Sequence, residues 1–443
     1  MEKGMPDNRV AARAAIDRLL QMRRLWENAA RAYFEPSRFL LEVQNCLMTS
    51  RTVTFIIQSN KDALPGFDQW YAAHQERMKA DPIMVWAKDA RNKVEKQGDL
   101  STHSQVSAEI IASYLDGPKT DWLPSNVFAT TDEIFRAVPQ KFRVPHVVEH
   151  GTLLVERRWI DAELPEMELL EALAHAYSVL SDIVADFVKT LGLPIPSMIE
   201  DSRPTSMERL AMDRAIYVSM KEGSIIGVRR EEARDPPIKE KQFIKRYGRK
   251  GAKSWEKAKE AETFQQACEA FFRSARILLK TDGYHGSLAL FLKGSHLFRV
   301  IGADQPDRAS RYILMRELAS FAVAEGADGV ILINEAWIAA AKDIPKHGYA
   351  VDAKNRQEAL ALAACNATGE EIHITATFHR KKNKLHKVKS IEPNKMTVGT
   401  PSFMLVPFMK VWGRYDPKNY EEIQRKMDEA GLSLPMEAPE STA

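Results

Sequence analysis

FLLEVQNCLMTSRTVTFIIQ, residues 39–58, is the stretch whose reading decides the architecture of the first half of the chain. Two signals compete in it. Its centre, Thr52-Val-Thr-Phe-Ile-Ile57, is rich in β-branched and aromatic residues, which favour a strand. The apolar pattern nevertheless runs across that centre without a turn signal. Propensity is the weaker prior, so the segment reads as helix. Outward from it, Asn8 is a plausible N-cap. Val10, Ile16, Leu19, Leu20 and Trp26 then recur at helical spacing to about Tyr33. Leu64-Pro65-Gly66 breaks the chain before a helix over 67–79. Asp81-Pro82, a cap followed by proline at the first helical position, opens another that ends near Gln97-Gly98. Four helices with short breaks predict an up-down bundle.

The period then changes. Residues 104–114 and 147–159 read as the two strands of a small hairpin, with Gly151 as an interior punctuation. Leu169, Leu173, Tyr177, Leu180, Ile183, Val184 and Phe187 mark an amphipathic helix, and a further helix is expected over 207–220. Residues 229–254 combine Arg229-Arg230, Pro236-Pro237 and a run of lysines and arginines, which predicts a charged linker. Beyond it come a long helix over 255–280, strands at 288–292 and 297–301, a helix at 308–324, a buried strand at 329–333, and strands at 360–364 and 372–378. The fold class is α+β: an N-terminal helical bundle with a small β-hairpin, then a C-terminal α/β sandwich around one central sheet. The expected domains are 1–228, a linker at 229–254, 255–436, and a frayed tail at 437–443.

The 443 residues include 63 basic and 60 acidic ones, a net charge of +3, so any basic site must be local. Hydrophobic residues make up 44% and charged residues 28%, which argues against wholesale disorder. Cys46, Cys268 and Cys365 are scattered and odd in number. A disulfide framework or cysteine zinc site is not expected, and a reducing cytoplasm is the natural setting. The N-terminus has no signal-peptide character, and no stretch is apolar enough to span a membrane. GxxxxGK[ST], GxGxxG after a strand, and GxSxG are all missing, so ATPase, Rossmann dehydrogenase and serine hydrolase readings have no motif behind them.

The strongest local signal is Gly66-Phe-Asp-Gln-Trp-Tyr71, then Asp81-Pro82, then Asp89-Ala-Arg-Asn-Lys-Val-Glu-Lys-Gln-Gly98. Over about the first hundred residues this resembles the HEPN-like helical bundles of bacterial proteins, which carry an Arg-Asn pair near the end of their last long helix. In the ribonuclease members a histidine follows that arginine closely. The resemblance implies that the histidine moves the proton of the RNA 2′-hydroxyl and that the arginine steadies charge on the phosphate. Here Lys96 stands five residues after Arg91, and the next histidine is His103, beyond Gly98. A lysine near its ordinary pKa is protonated at neutral pH and is no base. The resemblance therefore implies a degenerate bundle that binds or senses, with Arg91, Asn92, Lys96 and Arg51 as candidate phosphate ligands and RNA or a nucleotide as partner. The rival readings are a metal-independent ribonuclease of defence or toxin type, with His103 moved into place, and a homo-dimerising interaction module that uses the helix at 165–190.

Other segments carry weaker signals. Ser50, Arg51, Thr52 and Thr54 form a polar cluster on an apolar helix, able to face the Arg91 region. Asn334-Glu-Ala-Trp337 follows the buried strand, where α/β proteins place sites. Asp282, His285 and Glu335 suit a divalent cation by donor type but lack a ligand spacing, so no metal or cofactor is expected. Two basic patches are candidates for nucleic-acid phosphates: Lys245, Arg246 and Arg249 with aromatics between, and Arg380, Lys381, Lys382 and Lys384 at a hairpin turn.

Overall fold

The computed structural model describes residues 8–432 apart from 118–122, 124–125, 127, 202–213, 227–239, 305–306, 346–347 and 382–383. The chain forms two compact units. The first comprises 1–108, 119–138 and 154–217; the second comprises 109–118, 139–153 and 218–443.

The first unit is built on helices α1 (Asn8–Arg31), α2 (Pro36–Ser59), α3 (Phe67–Ala80), α4 (Pro82–Gln97) and α7 (Leu169–Thr190). The stripe Ala11, Ala15, Leu19, Met22 and Trp26 turns α1 toward α2 and α7. Helix α2 runs unbroken through Thr52–Ile57, because Val53 and Ile57 fall on its buried side and the packing outweighs their strand preference. Asp81 caps α4 by accepting from the N–H groups of Ile83 (2.9 Å) and Met84 (3.2 Å), as its place before Pro82 implied. Helix α7 is apolar on nearly all sides and forms the middle of this core. The indole of Trp26 donates to its first turn at the carbonyl of Leu170, 2.8 Å away.

Strands β1 (Thr102–Ile111), β2 (Thr152–Asp161), β3 (Leu164–Glu168), β4 (Ala215–Ser219) and β5 (Ile225–Ile226) make one sheet, ordered β1-β2-β4-β5 with β3 on β2. The strands expected over 104–114 and 147–159 do pair, as β1 on β2. The second begins later than expected: residues 145–150 form the short helix α6 (Pro145–His150), with Pro145 at its first position, and β2 also pairs with β3. Gly151 ends α6 so tightly that a Cβ there would lie 2.3 Å from the carbonyl oxygen of Val147. The helix expected over 207–220 is also corrected. Ala215–Ser219 is strand β4, and 207–213 lie outside the described residues. Two further short helices, α5 (Thr131–Ala137) and α8 (Ser197–Asp201), lie among the described residues before 227.

The second unit is a three-layer sandwich. Its sheet comprises β6 (Leu288–Lys293), β7 (His296–Gly302), β8 (Gly329–Ile338), β9 (Gln357–Asn366), β10 (Glu371–Lys381), β11 (Lys384–Ile391) and β12 (Lys395–Val398). The order is β11-β10-β9-β8-β6-β7 with β12 on β10, and the registered pairs are antiparallel. Alternation along the strands divides two cores. Leu290, Ile331, Leu362 and Ile374 face one side, packed with helix α10 (Phe264–Asp282). Phe291, Val330, Leu332 and Cys365 face the other, with α11 (Arg308–Ala324) and α12 (Val406–Val411). The single helix expected over 255–280 is two, α9 (Glu240–Lys259) and α10, parted where Thr263 caps α10 through the N–H of Gln266. Of the stretch read as a linker, 229–239 lie outside the described residues, and 240–254 are helical on either side of a kink at Gly248, whose φ is 73°. A last helix, α13 (Glu421–Glu429), follows.

Candidate functional site

A cleft of about 190 Å³ opens in the first unit between α2, α3, α4 and α7. Helix α2 contributes Ser50, Arg51 and Thr54, which share a face because they lie within one turn. Helix α4 contributes Lys88 and Arg91, three residues apart, along with Met84, Val85 and Ala87. Helix α3 adds Tyr71, Gln75, Met78 and Lys79, and Leu180 of α7 closes the apolar side. The lining holds four cations and no carboxylate or histidine.

The two arginines differ in how they are held. Arg91 donates from Nη1 to Glu95 at 2.8 Å and from Nη2 to the side-chain oxygen of Asn92 at 2.5 Å. Arg51 lies over the ring of Phe55, 4.0 Å from its centre, and among the described residues no carboxylate pairs with it. In both, the Nε atom is buried without a hydrogen-bond partner. Each such donor costs about 1–3 kcal/mol when left unmet, so neither guanidinium is fully satisfied within the fold. The other cations are partly answered from outside the lining: Lys79 by Glu76 (2.6 Å) and Lys88 by Asp89 (3.2 Å). Tyr71 accepts from Gln58 at 2.8 Å, and burial pushes its phenol pKa up, so the hydroxyl stays neutral.

Some of the site residues expected from sequence meet and others do not. Arg51 and Arg91 converge on the cleft, joined by Ser50 and Thr54. The hydroxyls of Ser50, Thr52 and Thr54 are satisfied by carbonyls three residues back on their own helix, which leaves Arg51 as the polar group without a counterpart there. Asn92 is spent on Arg91. Lys96 is exposed near the end of α4 and does not line the cleft. Asp81, at the start of the helix that carries Arg91, caps α4 and binds His175 at 2.7 Å. His103 is exposed on β1. Tyr71 ends the Gly66–Tyr71 motif quoted above, whereas Gln75, Lys79 and Lys88 carry no motif. Their only local signal is a polar residue every third or fourth position on otherwise amphipathic helices.

The two basic patches read differently in the fold. Lys245, Arg246 and Arg249 are exposed on α9, a helix rather than a linker, and Arg246 is paired with Asp282 at 2.8 Å. Arg380 does not belong to a free basic surface. It donates to Glu358 and to Glu335, both at 2.8 Å, and to the carbonyl of Gly283. Lys381 is exposed at the end of β10 and registers with Lys384 of β11; Lys382 lies outside the described residues. Glu335, considered with Asp282 and His285 as a metal ligand, is held by Arg380 and by the backbone N–H of His285 at 2.6 Å. Among the described residues no group of three or more potential metal-ligating side chains comes together. The three cysteines are free and buried, and among the described residues no helix is long and apolar enough to cross a membrane.

Helical bundle, antiparallel sandwich and cationic cleft define a mixed α and β protein with a cation-lined pocket in its helical unit. The family profile described as Bacteriophage lambda protein ea47 matches residues 4–427, and the chain belongs to that family. It is also 30% identical over 329 residues to Protein ea47 of Escherichia phage lambda, a match that covers 72% of this chain and 78% of that protein. No solved structure matches it. These findings overturn the HEPN resemblance. The Ea47 family accounts for nearly the whole chain, whereas the Arg-Asn motif that suggested HEPN is a short helical segment. Its arginine is bridged to the glutamate one turn on and has no histidine beside it.

Proposed function

We propose that the helical unit is a binding or sensing module whose cleft takes a phosphate group attached to an apolar body. The observation that carries this reading is a lining with four cations and no acid, in which Arg51 has no carboxylate partner among the described residues. Arginine's planar fork suits phosphate and carboxylate oxygens, and the bonds it forms with them are charge-assisted. Met78, Met84, Val85 and Leu180 supply the apolar wall for the rest of the ligand. With no histidine or carboxylate in the lining to move a proton, the cleft is suited to holding a ligand rather than turning it over.

Phenyl phosphate tests this, because it carries a phosphate on an apolar ring. It is expected to raise the melting temperature, with a stabilisation of about 2.7 kcal/mol at a hundred times its Kd. Arg51→Ala and Arg91→Ala should each weaken it by about tenfold or more, and Lys96→Ala should leave it unchanged. Equal binding by Arg51→Ala, Arg91→Ala and the parent chain would refute the assignment.

A further inference from the structure

A second, larger cleft lies within the other unit, and it contains the Asn334–Trp337 segment that the sequence singled out at the end of a buried strand. Its volume is about 450 Å³. It is lined by Arg308 and Arg311 from the first turn of α11, by Asn334 and Trp337 of β8, and by Tyr349. Both carboxylates in the lining are already engaged. Asp307 caps α11 through the N–H of Ser310 at 2.7 Å, and Glu335 is held by Arg380 and the N–H of His285. Among the described residues no carboxylate pairs with Arg308.

Arg308 instead packs on a neutral ring. Its guanidinium lies 3.1 Å from the centre of the Tyr349 ring. The Tyr349 hydroxyl is 3.2 Å from Nδ1 of His146, and Nε2 of His146 is 2.9 Å from the carbonyl oxygen of Ala112. A carbonyl only accepts, so Nε2 carries the hydrogen and Nδ1 must accept from Tyr349. Tyr349 thus donates to His146, and His146 to Ala112. This packing places a cation with no carboxylate partner among the described residues at the edge of a cavity of ligand size. On the opposite strand, Trp337 remains 42% exposed although it lines the cavity, with the guanidinium of Arg356 stacked on it at 4.6 Å. An indole backed by a cation is a platform for a flat ring.

We infer that this cleft binds a nucleoside monophosphate, with the phosphate on Arg308 and Arg311 and the base on Trp337. The reading is independent of the cleft in the helical unit.

Isothermal titration of the full chain with AMP, adenosine and inorganic phosphate tests it. AMP should bind at least about tenfold more tightly than either fragment. Arg308→Ala should weaken AMP by about tenfold to a hundredfold, on the scale of a lost charge-assisted contact. Arg308→Lys, which keeps the charge but loses the fork and the stack, should fall between. Trp337→Ala should weaken AMP and adenosine by about fivefold or more and leave phosphate unchanged. Arg51→Ala, in the other cleft, should leave AMP unchanged. If Arg308→Ala does not fold, Arg308→Lys and Trp337→Ala carry the test. The inference is overturned by an absence of AMP binding at millimolar concentration, by AMP binding no tighter than phosphate, by a folded Arg308 variant with parental affinity, or by loss of AMP binding in Arg51→Ala.

Discussion

Glu168 offers a stability measurement that the fold makes quantitative. It is fully buried at the start of α7, and one carboxyl oxygen accepts from the N–H groups of Leu170 (2.8 Å) and Glu171 (3.3 Å). The other oxygen is 3.3 Å from the hydroxyl of Tyr33, whose own hydrogen has a closer acceptor in the carbonyl of Arg157 at 3.0 Å. A protonated Glu168 therefore fits this geometry, because it donates where Tyr33 cannot. Burial, opposed by the charge of Arg214, pushes the carboxyl pKa up from 4.5 to about 7. With the folded value above the unfolded one, the fold holds the proton more tightly. Its contribution is complete below about pH 4.5 and is lost as the pH rises through about 7. The gap between those values, at about 1.4 kcal/mol per pH unit, makes the loss about 3 kcal/mol by pH 8. Glu168→Gln mimics the protonated acid: its carbonyl can take the two helix N–H groups and its amide can donate toward Tyr33. The variant should match the parent near pH 4.5 and exceed it by up to about 3 kcal/mol at pH 8, or about 6–12 °C in the melting of a unit this size. Thermal unfolding of both chains at pH 4.5, 6, 7 and 8 reads the difference. Parallel pH profiles, or a variant less stable than the parent at pH 8, would refute the reasoning.

Two further substitutions probe the scaffold around the clefts. Gly151→Ala places a methyl group 2.3 Å from the Val147 carbonyl, too close for backbone to tolerate, and should cost about 2 kcal/mol or more in a urea melt. Arg380→Ala leaves Glu335 and Glu358 without their shared cation and should cost about 2 kcal/mol, part of which Glu358→Gln in the same chain restores; a double-mutant cycle gives the coupling.

What was legible in the sequence is what depends on neighbours along the chain. The stripe of α1, the Asp81-Pro82 start of α4 and the apolar face of α7 are each written within a few turns, and so are the short apolar strands of the sandwich. Helix α2 was legible because its pattern outlasts its β-branched centre. The failures lie where a local signal is weaker than a distant partner. Residues 147–150 look like strand but are turned into helix by Pro145, and Ala215–Ser219 looks helical but is drawn into a sheet. The candidate sites follow the same division. The sequence by itself marked Arg51 and the Asn334–Trp337 segment as polar groups in apolar surroundings, and Arg91 only through the short Arg-Asn motif. Only the tertiary structure decided that Arg51 and Arg91 share a cleft while Lys96 stays outside it, that Arg380 is bound between two glutamates, and that Arg308 packs on the ring of Tyr349, itself bonded to His146. Periodicity records which face of an element is buried. It carries no record of which faces from distant segments meet, and the charge left unanswered at that meeting is what makes a binding site.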